Sequence, residues 1–453
     1  MLTLDTYLSQ VQQLYGSAPS ELVQLISFDR EAAIVQQLSQ LLNSTPALRS
    51  TSYTSHARSF LSDSRPFADL IASYLLFCRD VAPPHDDDDP TALNASCSLL
   101  EDCYKQADKV FTQGDSAWFV PILRSLTSTL IHVALKVGHT PCFTVQQLSP
   151  ILILYNCRPW AGTSSRDHKL IKAGEAARLL SRPMGVAASD RSKETPSKRS
   201  ALFFLVNSTF KVYFAMHNLR LCDTILSNTS NAVGGSFSEE RYYPKSDRVT
   251  FAYYRGRVWL YQRRLPLARN ELKKALGLVE EQAWGNTRLI LIYLIAASLP
   301  LGIFPTVQLM QEYDLDDQYE RLLLALTKGN YVQVLAELDQ HRAWHLSKGN
   351  YLLLKEKLQV ICWRNLARTT LLIMTNGSPL PPSGPPTLSL HALVVTARIA
   401  FGDETLDLDD VEGMCTSLMD QGYLKAYIMH SKALLVLQKS PTFGFPPISS
   451  VHP

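Results

Sequence analysis

The sequence predicts an all-α fold, a helical-repeat (TPR-like) solenoid capped by a C-terminal winged helix. Three patterns carry that prediction. Leu4, Leu8, Val11 and Tyr15 fall at i, i+4, i+7 and i+11, the spacing of one helix face. Gly256 is followed by Trp259, Ala268, Leu272 and Ala275, offsets of a tetratricopeptide-type repeat, where small residues let two antiparallel helices approach closely. The final stretch, from about 388, runs helix, helix, then two short strands, which is the order of a winged helix.

Composition sets the outer bounds. A chain of 453 residues is too long for one compact core and suits two or three packed units or one extended array. It is 46% hydrophobic and 19% charged, which excludes wholesale disorder. A net charge of +3 speaks against a nucleic-acid binder that uses its whole surface, so any basic footprint must be local. The eight cysteines form no CxxC pair and no Cys/His cluster of zinc spacing, so reduced thiols, no metal and no cofactor are expected. The opening MLTLDTYLSQ lacks the basic start and apolar core of a signal peptide.

Residues 1–157 read as an N-terminal helical region. Its loop APPHDDDDP, near 82–90, lacks the alternating ligands and turn glycine of an EF-hand and reads as a solvated acidic loop. Residues 158–200 read as a basic linker with a short helix. The stretch 160–200 holds nine Lys/Arg against four Asp/Glu; HKLIKAGEAARLLSR can form a helix and SDRSKETPSKRS reads as an exposed loop. Its basic residues are too dispersed to make SKETPSKRS a clear nuclear-import signal.

Residues 201–346 read as TPR-like hairpins, one of them turning at Gly329–Asn330. Between Arg288 and Glu312 the chain carries no charge, yet Pro300, Gly302 and Pro305 interrupt it. A buried helix, a turn and a new helix are expected there, and no membrane span. Tyr253, Tyr254 and Trp259 are either docking aromatics or, at this helical spacing, core residues.

Residues 347–453 read as one long helix over 347–374, a Pro-rich insert at 375–387 and the winged helix. The long helix is apolar almost all round except for a stripe of Lys357, Arg364 and Arg368. SLHALVVTARIA forms the next helix. Asp407 or Asp409 starts the one after it and Gly422 ends it; AYIMH and ALLVLQK are strands around Ser431–Lys432.

No catalytic constellation is present in the sequence. There is no GxxxxGK[ST], GxGxxG or GxSxG motif, and HRAWH lacks the glutamate of HExxH, so His341 and His345 read as partly exposed helix histidines. The leads are electrostatic. From 341 to 374 six Lys/Arg face the single Glu356, and from 421 to 453 Lys425, Lys432 and Lys439 face no acid. Such clustering serves phosphate contact along a wing, or is a solvated basic face. Seven acids within 403–420 oppose insertion of the second helix into a major groove.

Long strings then carry a resemblance: ALFFLVNSTFKVYFAMHNLRLCDTILSN, RVTFAYYRGRVWLY, RLILIYLIAASLPLGIFPTVQLM and LSKGNYLLLKEKLQVICWRNL, with TLDTYLSQVQQL and FGFPPIS near the two ends. Spanning nearly the whole chain, they resemble the PCI-domain proteins of the TREX-2 transcription-export complex, whose fungal members are often labelled as a COP signalosome subunit. The resemblance implies a PCI module and a non-catalytic scaffold in nuclear, transcription-coupled mRNA export, near the nuclear pore and also in the cytoplasm. It implies a large helical scaffold protein and a small acidic disordered subunit shared with the proteasome lid as partners. It also implies RNA or DNA bound without sequence specificity on paired winged helices. The residues carried over are Lys357, Arg364, Arg368, Lys425, Lys432 and Lys439, as contacts for phosphate or an acidic partner segment. The Pro-rich insert and the acidic 403–420 depart from what that role requires. The alternative is a protein-binding subunit of a signalosome or proteasome-lid-like complex in protein turnover.

Overall fold

Several helices in this chain start where a side chain can accept from the first unpaired amides. Thr3 and Thr6 form a capping box ahead of Leu4, Thr306 accepts from Leu309 N at 3.2 Å, and Asn330 accepts from Gln333 N at 3.1 Å. The structure is a computed structural model that describes residues 3–44, 50–81, 90–138, 164–192, 195–233, 242–377 and 384–451. Residues 82–89 of the acidic loop and the middle of the Pro-rich insert lie outside the described residues. The chain divides into two units, Met1–Phe251 and Ala252–Pro453.

The first unit holds α1 (Leu4–Ser17), α2 (Ala33–Ser44), α3 (Ser50–Phe60), α4 (Arg65–Val81), α5 (Pro90–Thr112), α6 (Val120–Gly138), α7 (Ser164–Leu179), α8 (Ser181–Ser189), α9 (Leu202–Ala215), α10 (Arg220–Val233) and the start of α11 (Lys245–Tyr261). Helix α4 packs on α5, α5 on α6 and α6 on α7, while α9 returns against α6, α7 and α8. Leu4, Leu8 and Val11 are buried as the periodicity requires, and Tyr15 stacks on Phe67 at 4.7 Å. Arg124 on α6 donates to the Asp247 carboxylate at 3.0 Å, and Asn207 on α9 donates to the Asp247 carbonyl at 2.9 Å. One acidic residue thereby joins α6 and α9 to the start of α11.

Residues 158–200 are not a linker where they are described. Ala173, Ala176, Ala177 and Leu180 are buried, because small residues on α7 let it lie close to its neighbours. The following loop is tied down as well. Lys198 Nζ donates to the carbonyls of Phe111 and Gln113 at 3.0 and 2.7 Å, neutralising the C-terminal end of α5. The expected boundaries at 157/158 and 200/201 fall inside the first unit, and the one at 346/347 inside the second.

The second unit continues α11 into α12 (Leu265–Leu278), α13 (Trp284–Ser298), α14 (Val307–Glu312), α15 (Asp316–Lys328), α16 (Tyr331–Gln340), α17 (Arg342–Lys348) and α18 (Tyr351–Met374). Gly256 meets Leu272 so closely that a methyl group there would sit 2.6 Å from Leu272 Cγ, and Ala268 and Ala275 are buried. The small-residue reading of that hairpin holds. The uncharged stretch forms the buried helix α13, a turn through Gly302 and the new helix α14. Among the described residues, Ala117–Val137 and Trp284–Leu301 are helical and apolar enough to cross a membrane; half and two thirds of them, respectively, are buried inside the protein.

The long helix expected over 347–374 is broken. Gly349 at φ 71° ends α17, and α18 begins after Asn350. After α18 come β1 (Thr387–Ser389), α19 (Leu390–Phe401), α20 (Leu408–Asp420), β2 (Ala426–Met429) and β3 (Leu434–Leu437). The sheet is antiparallel with order β1-β3-β2, pairing Leu388 with Leu435 and Ile428 with Leu435. Strand β1 takes up the end of the segment read as insert. The fold class is the expected one: all-α, helical repeats followed by a winged helix.

Candidate nucleic-acid interface

The winged helix is built onto α18, which contacts β1, α19 and α20. Thr370 on α18 and Thr396 on α19 share a hydrogen bond at 2.9 Å. Asp407 caps α20, accepting from Asp410 N at 2.9 Å, while the Asp410 carboxylate accepts from Asp407 N at 3.0 Å. The acids at this end therefore act locally, because they satisfy amides and lie at the positive end of the helix dipole. The consequence for ligands stands, since Asp407, Asp409 and Asp410 leave that helix start exposed and negative.

The β2–β3 hairpin carries the basic candidates. Lys425 precedes β2, its amide donating to Gly444 O at 2.7 Å and its carbonyl accepting from Gln438 N at 2.9 Å. Lys439 follows β3 at the same end, and Lys432 lies in the turn at the other end. All three are exposed. Four residues of strand separate the two ends by roughly 13 Å, about four phosphates at about 3.4 Å of rise per strand. Beside Lys432, His430 Nδ1 contacts both Glu412 carboxylate oxygens at 3.0 Å, so the turn is clasped to α20. The Glu412 carboxylate holds the His430 imidazole above its ordinary pKa. Reading the sequence missed this clasp, because 18 residues separate the two partners.

The α18 stripe is not one surface. Arg368 is exposed and Lys357 is half-buried, with its ammonium 3.7 Å from Glu356. Arg364 is 7% exposed and must be removed from the contact set. Its guanidinium donates to Asn365 Oδ1 at 3.0 Å, Pro446 O at 2.8 Å and Phe445 O at 3.4 Å. Burial, together with the positive charge of Arg368, pulls its pKa down to about 10, so it remains charged at neutral pH. Periodicity placed Arg364 on a polar face; the returning segment 440–451, out of sight in a local pattern, covers it. Ile448 in that segment seats against Gly302, where a methyl group would meet its side chain at 3.0 Å or less.

One other expectation changes, and one open alternative narrows. His345 is fully buried rather than partly exposed, with Nδ1 against Asn350 Oδ1 at 3.0 Å, and burial lowers its pKa to about 4. Tyr253 and Tyr254 are half-buried around the Arg257 guanidinium, which lies 5.4 and 5.9 Å from their rings and 4.5 Å from Tyr293. That favours their core reading. Among the described residues no group of three His, Cys, Asp or Glu could hold a metal ion, and the described cysteines are free and buried.

The chain matches no protein-family model. It does align with whole proteins. A PCI domain-containing protein of Schizosaccharomyces pombe is 31% identical over 392 residues, covering 86% of this chain and 82% of that protein. PCI domain-containing protein 2 of Xenopus laevis is 32% identical over 299 residues, covering 64% of this chain and 70% of its own length. The Enhanced ethylene response protein 5 of Arabidopsis thaliana is 30% identical over 310 residues, covering 66% and 71%. With helical repeats leading into a winged helix, and with this identity over most of both chains, the protein belongs to the family of PCI domain-containing proteins.

Proposed function

We propose that this PCI scaffold subunit is non-catalytic and works in nuclear, transcription-coupled mRNA export, lending its winged helix to a composite nucleic-acid surface. The observation that carries the reading is the hairpin with exposed Lys425, Lys432 and Lys439 and no acidic residue of its own. Because the start of α20 is acidic, contact runs along the wing and the phosphate backbone rather than through base edges. A large helical scaffold protein supplies the other half of the surface, and a small acidic disordered subunit binds the helical array.

The test is a salt titration of single-stranded RNA binding by the chain, alone and with its scaffold partner. Affinity that rises with the partner and falls steeply with salt supports the proposal. Changing Lys425, Lys432 and Lys439 to Glu should then abolish binding. If neither sample binds, or if deneddylase subunits co-purify in place of an RNA-export scaffold, the chain is instead a protein-binding subunit in protein turnover.

A further inference from the structure

A second cationic surface lies outside the winged helix. From Lys245 to Lys274 the sequence holds nine Lys/Arg against Asp247 and Glu271. Both acids are buried, and Glu271 is paired internally with Arg255 and Lys274. The turn joining α11 to α12 gathers part of this charge with exposed aromatic surface. Tyr261 is 61% exposed. The Arg264 guanidinium lies 5.2 Å from the Trp259 ring. Arg263 reaches Glu356 on α18 at 3.0 Å, and Lys357 stands on the other side of that carboxylate at 3.7 Å. Two cations thus converge on one acid with Arg264 close by in the chain, so the cluster is net positive.

The backbone sets how the turn is presented. Arg263 has φ 63°, the left-handed position that closes a helix. Glycine holds that position after α15, α17 and α19, and His217, Asp314 and Asn376 hold it after α9, α14 and α18.

We propose that the α11–α12 turn, with Tyr261, Arg263, Arg264, Trp259 and Lys357, binds single-stranded nucleic acid by base stacking and phosphate contact. An acidic protein segment would use the cations alone. An accessible ring beside arginines suits a base on its face and a backbone alongside. The inference goes beyond the winged-helix reading and places a strand on the helical repeats as well.

The experiment uses the full chain and a fluorescent fifteen-nucleotide oligouridine, titrated at several salt concentrations. Arg263→Gly with Arg264→Gln should weaken binding about tenfold and reduce the salt slope by about 1.4, the value for two phosphate contacts on a single strand. Glycine suits the left-handed backbone, so this variant keeps its fold, and an unchanged melting temperature verifies it. Tyr261→Leu should weaken binding at least about fivefold with the slope unchanged, as loss of one stacked base requires. The Lys425, Lys432 and Lys439 variant is measured beside them. If it alone loses binding, the turn is no site and the winged-helix reading survives. If the turn variants alone lose binding, the turn is the site and the winged-helix reading falls. No binding by the unaltered chain, or poly-glutamate displacing the RNA while Tyr261→Leu binds normally, overturns the proposal.

Discussion

Gly329 and Leu366 meet backbone to backbone: a methyl group on Gly329 would fall 2.7 Å from Leu366 Cα and 2.9 Å from Cys362 O. The turn between α15 and α16 therefore lies directly on α18. Asn365 locks it there, donating to Leu326 O at 2.8 Å. Gly329→Ala adds an overpacking cost to the left-handed penalty, together about 3 kcal/mol. Gly349→Ala is the control, since its φ of 71° is likewise left-handed but nothing lies within 4 Å, and it should cost only about 1 kcal/mol. Urea unfolding midpoints of the two variants check the difference.

Removing Arg364 strips buried carbonyls at Phe445 and Pro446 of their charged donor. Arg364→Ala should destabilise the second unit by about 3 kcal/mol. Limited proteolysis with mass spectrometry should show new cleavage between residues 440 and 451. RNA affinity per folded molecule should stay unchanged, because Arg364 faces inward. Arg364→Lys should recover little, since one ammonium cannot reproduce the guanidinium fork.

His345 makes stability depend on acid. Its folded pKa of about 4 lies below the unfolded value of about 6.5, so between them the unfolded chain binds more protons. Stability is complete above about pH 6.5 and falls as pH drops, by about 3 kcal/mol at pH 4. His345→Gln should flatten this part of the profile, which denaturant melts at stepped pH will show.

His430 behaves in the opposite sense. Its raised pKa means that the clasp to Glu412 is complete below the unfolded value and is lost as pH rises through the folded one. Titration of its imidazole proton by NMR should give a value above that of an ordinary histidine. Glu412→Gln should bring it back, and the wing turn should then gain mobility.

Most of the helical order was legible because it rests on local signals: periodic apolar residues, caps such as Asn330 and Asp407, and the small residues Gly256, Ala268 and Ala275. What was not legible rests on residues far apart in sequence. Arg364 looks like a surface cation until Pro446 is laid over it, and His345 looks half-exposed until Asn350 and Tyr319 enclose it. Strand β1 has only three residues and follows prolines, so its pairing partner, β3, decides it rather than its own propensity. The wing lysines were readable as charge, whereas the clasp that positions the turn among them was not. The cations around Arg263 were not singled out by sequence pattern, and only the structure joins them to Lys357.

The seat of Ile448 against Gly302 also sets an order of events during synthesis. Roughly 150 residues of chain lie between the two. Translation must pass Ile448 before the pocket at Gly302 and the guanidinium of Arg364 can be covered. Until then the nascent second unit carries an open apolar notch at Gly302, and the Arg364 guanidinium stays hydrated instead of bonded to Phe445 and Pro446. Docking of the 440–451 segment then becomes the moment at which this half of the molecule acquires its final stability.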